Sequence, residues 1–244
     1  MTQEKNNPSA VLVTGPCRSG TTWVQTLLSD ESTDSYFQPF KHAVRCRLFS
    51  QPPALAVRDD ADRVVVKEAL GPYFLDEIRY DPVACFNASL PRHDRRVILC
   101  MDDPANCFLS WVRSFRRVSE AHLWIMFVEA YRETRRLWMR LRAERCSVLP
   151  FTLTLYEGCV SAEAMTRVLL HFAGATAPGG LFFSIRKVRD PAFFEVAGLL
   201  DEAKKASALM LKRRSERLPR EGFDELNEIY AEFIAAHRSA HPTE

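Results

Sequence analysis

An α/β fold, with a central mostly parallel sheet between two layers of helices, is what this sequence predicts. Three observations predict it. The stretches AVLV, RVVV and VILCM are unbroken apolar runs, the pattern of strands covered on both faces. Segments of helical spacing follow them, so strands alternate with helices and the sheet is parallel. Glycines bracket the turn GPCRSG where the first strand hands over to the first helix.

In chain order, residues 1–9 are polar and expected to be disordered, and AVLVTG is a buried strand. TTWVQTLLSDE places Trp23, Val24, Leu27 and Leu28 at helical spacing. Ser32 to Asp62 contains Pro39, Pro52 and Pro53 and no long periodic segment, so it reads as irregular structure or a substrate-facing loop. RVVVKEAL is the second strand, PYFLDEIRY a short helix and RRVILCMDD the third strand. Asp103 and Pro104 then supply an N-cap and a first-turn proline for the next helix. AHLWIMFVEAYRETRRLWMRLRAE is a long helix with one apolar face and an arginine-rich face that reads as solvated surface. CSVLPFTLTLYEG is a fourth strand region, and SAEAMTRVLLHFAG an amphipathic helix capped by Ser161 and ended at Gly174. Residues 175–244 are mostly helical, with Pro219 and Gly222 between the last two helices.

Composition narrows the function classes. A charged fraction of 26% and a hydrophobic fraction of 47% are those of an ordinary globular protein. A length of 244 residues predicts one domain spanning 1–244. A net charge of +2 excludes a broad nucleic-acid footprint, so any cationic function is local. Seven cysteines, an odd number without a C-x-x-C pair, predict neither a disulfide framework nor a zinc site. The first residues lack the cationic and apolar regions of a signal peptide, and no apolar run reaches membrane-spanning length. The expected compartment is the cytoplasm, with no membrane partner.

Gly15 and Gly20 have the separation found in nucleotide-triphosphate loops, which points backbone N–H groups and a helix N-terminus at a phosphate. The fold expected is therefore a three-layer one of the P-loop nucleotide-binding type. Thr21 stands where a kinase or GTPase has lysine, and the cation is instead Arg18, inside the loop. Ser19, Thr21 and Thr22 add hydroxyls, and the planar fork of arginine suits a phosphate or sulfate oxygen pair.

GPCRSGTTW resembles the 5′-phosphosulfate-binding loop of the sulfotransferase superfamily, whose bacterial branch commonly reads G-x-x-R-S-G-T-T. The resemblance implies a sulfotransferase that moves a sulfuryl group from 3′-phosphoadenosine 5′-phosphosulfate (PAPS) to a hydroxyl or amine of a small-molecule acceptor, releasing adenosine 3′,5′-bisphosphate without a metal. It assigns Arg18 to the transferring group and Ser19, Gly20, Thr21 and Thr22 to the 5′-phosphate. Trp23 is either an adenine-stacking ring, as in the cytosolic branch, or a core aromatic. VVVKEAL resembles the family's second strand, whose lysine, here Lys67, lies near the acceptor. VILCMDDPANCFLSWVRSF resembles the strand and helix that bind the 3′-phosphate, with Asp103, Pro104 and Ser110 on their counterparts. Tyr156, Glu157, Phe172 and Gly174 match the family's Tyr-Glu strand end and Phe-x-Gly helix end.

One position departs from the pattern with chemical consequence. Asp102 stands where the family places an arginine, and losing one charge-assisted phosphate contact weakens binding by about 10- to 150-fold. Either Arg186, Lys187 and Arg189 of SIRKVRD, which loosely resembles the family's basic R-K-G segment, grip the 3′-phosphate instead, or the donor carries none, or a different anionic ligand is used. Asp102 after an apolar run also has the look of a magnesium-binding strand end, with Thr22 as second ligand, which gives a kinase-like or NTPase alternative. A catalytically lapsed binding protein on the same fold is the third. For the base, the cytosolic branch's histidine position is Ala69 and the carbohydrate branch's glutamate position is near Gln38. Glu68 and His42 remain the candidates.

Overall fold

The structure, a computed structural model, describes residues 8–45, 54–153, 162–175 and 222–240. Its strands are β1 (Ser9–Thr14), β2 (Thr33–Phe37), β3 (Arg63–Lys67), β4 (Asp94–Cys100) and β5 (Val148–Phe151). They form one sheet in the order β2-β3-β1-β4-β5, and every pairing is parallel. The helices are α1 (Thr21–Leu28), α2 (Pro39–Arg45), α3 (Asp76–Arg79), α4 (Pro82–Ser89), α5 (Pro104–Ser114), α6 (Glu120–Ala143), α7 (Ala162–Phe172) and α8 (Phe223–Ala240).

Strand alternation sorts the apolar runs onto two faces. Val11, Val13, Val65, Ile98 and Cys100 face α1 and α7, packing on Val24, Leu27, Leu169 and Leu170. Ala10, Leu12, Val64, Val66, Val97 and Leu99 face the opposite layer, where Phe86, Trp111, Phe127 and Tyr230 bring in α4, α5, α6 and α8. The expected three-layer α/β architecture is the observed one. No helix among the described residues is long and apolar enough to cross a membrane.

The helix starts follow their local chemistry. Asp103 caps α5 by accepting from Asn106 N at 2.9 Å, with Pro104 at the first helical position. Ser119 caps α6 in the same way, through His122 N. The arginine-rich face of α6 is not simply solvated. Arg132 makes a two-pronged contact with Glu225, and Arg135 another with Glu232, so this face clamps α8.

The segment expected to be irregular contains β2 and α2. β2 is an edge strand whose Asp34 is held by Arg58 and whose Ser35 accepts from Gln25 Nε2, so polar partners replace an apolar run. Pro39 does not break a helix but begins one. The helix α4 was not anticipated, although Asp81 and Pro82 start it as Asp103 and Pro104 start α5. The Ser161 cap, the Tyr156–Glu157 strand end and the helix from Pro191 onward fall outside the described residues.

From β1 the chain moves to the β2 side of the sheet, and from β4 it moves to the β5 side. The order therefore reverses between β1 and β4. In open parallel sheets ligands settle in such a crevice, beyond the carboxyl ends of the strands.

Candidate active site

The glycine-bracketed loop lies in that crevice. It leaves β1 at Thr14 and enters α1 at Thr21, pinned to the end of β3 by Cys17 N on Leu70 O at 3.0 Å and Leu70 N on Gly15 O at 2.9 Å. Gly15 is obligatory here: with φ of 149°, a Cβ would stand 2.0 Å from Cys100 O at the end of β4. Gly20 has φ of 90° and turns the chain into α1.

Ser19 braces the loop, its hydroxyl donating to Pro16 O at 2.7 Å and reaching Cys100 O at 3.4 Å. The backbone N–H groups of Arg18, Gly20, Thr21 and Thr22 have no protein acceptor among the described residues, and no acidic side chain occupies the first turn of α1. Donors without acceptors at a helix start form a cradle for an anion.

Arg18 crowns this cradle. It sits in the left-handed region with φ of 68°, exposed, and its Nε donates to Ser110 Oγ on α5 at 3.0 Å. Among the described residues its remaining guanidinium donors have no partner, leaving the outer fork for two oxygens of an anion. Two positions that sequence spacing places far apart, 18 and 110, are thus brought across the β1/β4 crevice. Trp23 stacks on Phe151 with ring centroids 5.7 Å apart, and is half-buried beside the α1 core. The core-aromatic reading describes that contact.

Lys67 ends β3 on the other side of the loop. It is 3% exposed, and its ammonium stands 4.1 Å from the centre of the Phe37 ring. Burial, reinforced by the charges of Lys41 and Arg18, brings its pKa down from 10.5 to about 8, against the opposing pull of Cys17 and Glu68. A lysine so placed is still mostly charged at neutral pH and can serve as a second cation.

The next residue turns the other way. Glu68 is fully buried, and its carboxylate accepts from Phe40 N at 2.7 Å, from Lys41 N and from the Tyr80 hydroxyl at 2.6 Å. Both oxygens are committed to the first turn of α2 and to Tyr80. Burial lifts its pKa to about 7, opposed by the Tyr80 and Phe40 hydrogen bonds. Glu68 is therefore built in as a cap for α2, not paired with Lys67 and not presented as an open base. His42 lies on the exposed side of α2.

Lys41 was not singled out from the sequence. It is 1% exposed, and its ammonium donates to Ala69 O at 2.6 Å and to Gly71 O, with Cys17 Sγ at 3.5 Å and Glu77 at 3.7 Å. It ties α2, the turn after β3 and the loop into one unit. The only sequence signal is its place between Phe40 and Ala43, the buried residues of a short helix. Gln38, with φ of 52°, joins the same unit by donating from its backbone N to Lys67 O at 2.7 Å. Arg186, Lys187 and Arg189 lie outside the described residues.

Fold and site together define an α/β protein with an anion cradle at the switch point of its sheet. The chain belongs to the sulfotransferase domain family, whose model matches residues 8–165. No curated protein matches it at a significant level.

Proposed function

We propose that this protein transfers a sulfuryl group from a PAPS-type adenosine phosphosulfate to a hydroxyl or amine of a small-molecule acceptor. The Arg18–Ser110 contact above the unpaired N–H groups of α1 carries the reading: a forked cation over a helix start suits a phosphosulfate. The loop groups Gly20, Thr21 and Thr22 hold the 5′-phosphate, with Ser110 beside it; Gly15 and Ser19, the latter with both its N–H and its hydroxyl on Pro16 O, shape the loop instead of contacting the anion. The acceptor oxygen or nitrogen attacks sulfur in line, the bond from sulfur to the bridging phosphate oxygen breaks, and the 5′-phosphate leaves with the electron pair. Arg18 and the loop amides neutralise the charge that grows on that leaving group, and Lys67 adds a second cation. The acceptor proton passes to a base, and with Glu68 committed to α2, His42 is the remaining candidate.

Calorimetry on the purified protein tests this. An adenosine 5′-phosphate, with or without a 3′-phosphate, is expected to bind equally well in Mg²⁺ and in EDTA, and Arg18→Ala to weaken that binding and abolish transfer. ATP binding that needs Mg²⁺ would instead make Asp102 and Thr22 metal ligands and replace the transferase reading with the NTPase one. Among the described residues no group of three His, Cys, Asp or Glu gathers to hold a metal.

A further inference from the structure

We propose that Asp102 selects the donor by its ribose: it accepts a hydrogen bond from a free 3′-hydroxyl and turns away a 3′-phosphate, so that the donor is adenosine 5′-phosphosulfate. This rests on the sulfuryl-transfer reading above and sharpens it to one nucleotide.

The placement is the first argument. Asp102 lies two residues beyond the end of β4, on the opposite bank of the β1/β4 crevice from the Arg18 loop. Its backbone is fixed, since the Tyr131 hydroxyl donates to Asp102 O at 2.6 Å. The next residue is locked as the cap of α5. On this proposal a nucleotide with its 5′-phosphosulfate under Arg18 extends its ribose along this crevice, the usual ligand position at a switch point, toward the end of β4.

Electrostatics give the second. Burial holds the Cys107 thiol and the Tyr131 phenol well above their ordinary pKa values, and the Asp102 charge pushes both further up. Arg18 acts on Cys107 in the opposite sense. The carboxylate and the guanidinium thus both lie close enough to act on the first turns of α5, where Cys107 and Ser110 are neighbours at i and i+3. The Asp102 residue itself is half-buried, so its charge is less diluted by solvent than a surface one.

Chemistry gives the third. A carboxylate is an acceptor only, matched to a ribose hydroxyl and repelled by a phosphate. Dinucleotide-binding sheets draw this distinction at the 2′ position, with an acid for the hydroxyl and an arginine for the phosphate. Asp102 makes the same choice at the 3′ position. The reaction balances: the acceptor–sulfur bond forms, the bond from sulfur to the bridging oxygen breaks, AMP leaves with the electron pair, and the acceptor proton goes to the base.

The test compares AMP with adenosine 3′,5′-bisphosphate by calorimetry in EDTA, on wild type, Asp102→Asn and Asp102→Arg, each first shown to be folded by its thermal transition. AMP is expected to bind at least about tenfold more tightly to wild type. The preference should shrink in Asp102→Asn and reverse in Asp102→Arg, and adenosine 5′-phosphosulfate should be turned over faster than PAPS. Tighter binding of the bisphosphate to wild type would overturn the inference and leave the transferase reading standing, with Arg186→Ala and Lys187→Ala then locating the grip. A preference that is the same in all three proteins would also overturn it. Should Asp102→Arg fail to fold, Asp102→Asn carries the comparison. Binding of neither nucleotide would count against the transferase reading itself.

Discussion

Replacing Lys67 by methionine should make the protein more stable and less active. A lysine brought from 10.5 down to about 8 by burial costs the native state about 3 kcal/mol at neutral pH, at 1.36 kcal/mol per tenfold change in proton affinity. Methionine fills similar volume without the charge but forfeits the cation–ring contact with Phe37, worth about 1 kcal/mol. The balance is a gain of about 2 kcal/mol, or roughly 4–8 °C in Tm for a chain of this size. The pH dependence identifies the cause. Below pH 8 the native lysine is charged and the full cost applies. Between pH 8 and 10.5 the unfolded chain binds more protons than the native one, so wild-type stability rises with pH and the gap to Lys67→Met closes. Calorimetric scans at pH 7 and pH 9.5 should show the gap falling to less than half. If Lys67→Met melts at or below wild type at pH 7, or the gap is flat with pH, the buried-charge argument fails. The same variant should lose about a hundredfold in transfer rate, the scale of one preorganised charge donor removed.

Two further outcomes test the loop and its support. Gly15→Ala forces a Cβ to 2.0 Å from the Cys100 carbonyl, whereas Gly20→Ala meets the movable Leu153 side chain at 2.5 Å; the first should lose more than about 3 kcal/mol in urea unfolding and the second about 1–2 kcal/mol, and the reverse order would refute the loop geometry. For Glu68→Gln, kcat and nucleotide affinity should both stay within about twofold, because its oxygens serve α2 and Tyr80; a fall in kcat alone would make Glu68 the base after all. Because burial raises Glu68 to about 7, native protein holds its proton between pH 4.5 and 7 while unfolded chain does not, so wild-type stability relative to Glu68→Gln should decline across that interval; a constant difference would show that Glu68 does not titrate there.

What could be read in the sequence follows the kind of interaction that holds each part. The runs that became β1, β3 and β4 are covered on both faces, so their burial is written in their own residues. The Arg18 loop was legible because glycine spacing and a cation inside it are local features. β2 escaped because its edge position is satisfied by Arg58 and Gln25, one of them 24 residues away. Lys41 escaped more completely: alone it has the hydropathy of a surface residue, and the carbonyls and carboxylate that make its burial tolerable come from residues 69–77.

Glu68 shows why neighbours in sequence mislead. Next to Lys67 it invites a reading as ion-pair partner or base, yet successive side chains at a strand end point to opposite sides. Lys67 goes to the Phe37 ring and Glu68 to the α2 backbone. The two residues then divide the work of the site. Lys67 is kept charged at a cost in stability, which is sensible only where an anion arrives to meet it. Glu68 spends its own charge inside the protein, holding α2 so that Lys41 can brace the turn after β3 against the Arg18 loop. Three cations, Arg18, Lys41 and Lys67, surround one short loop, and the carboxylates of Glu68 and Glu77 are turned onto α2 and its side chains, away from the cradle. A binding surface that leaves two cations without a carboxylate partner among the described residues, at the switch point of a parallel sheet, is arranged for a ligand that brings its own negative charge.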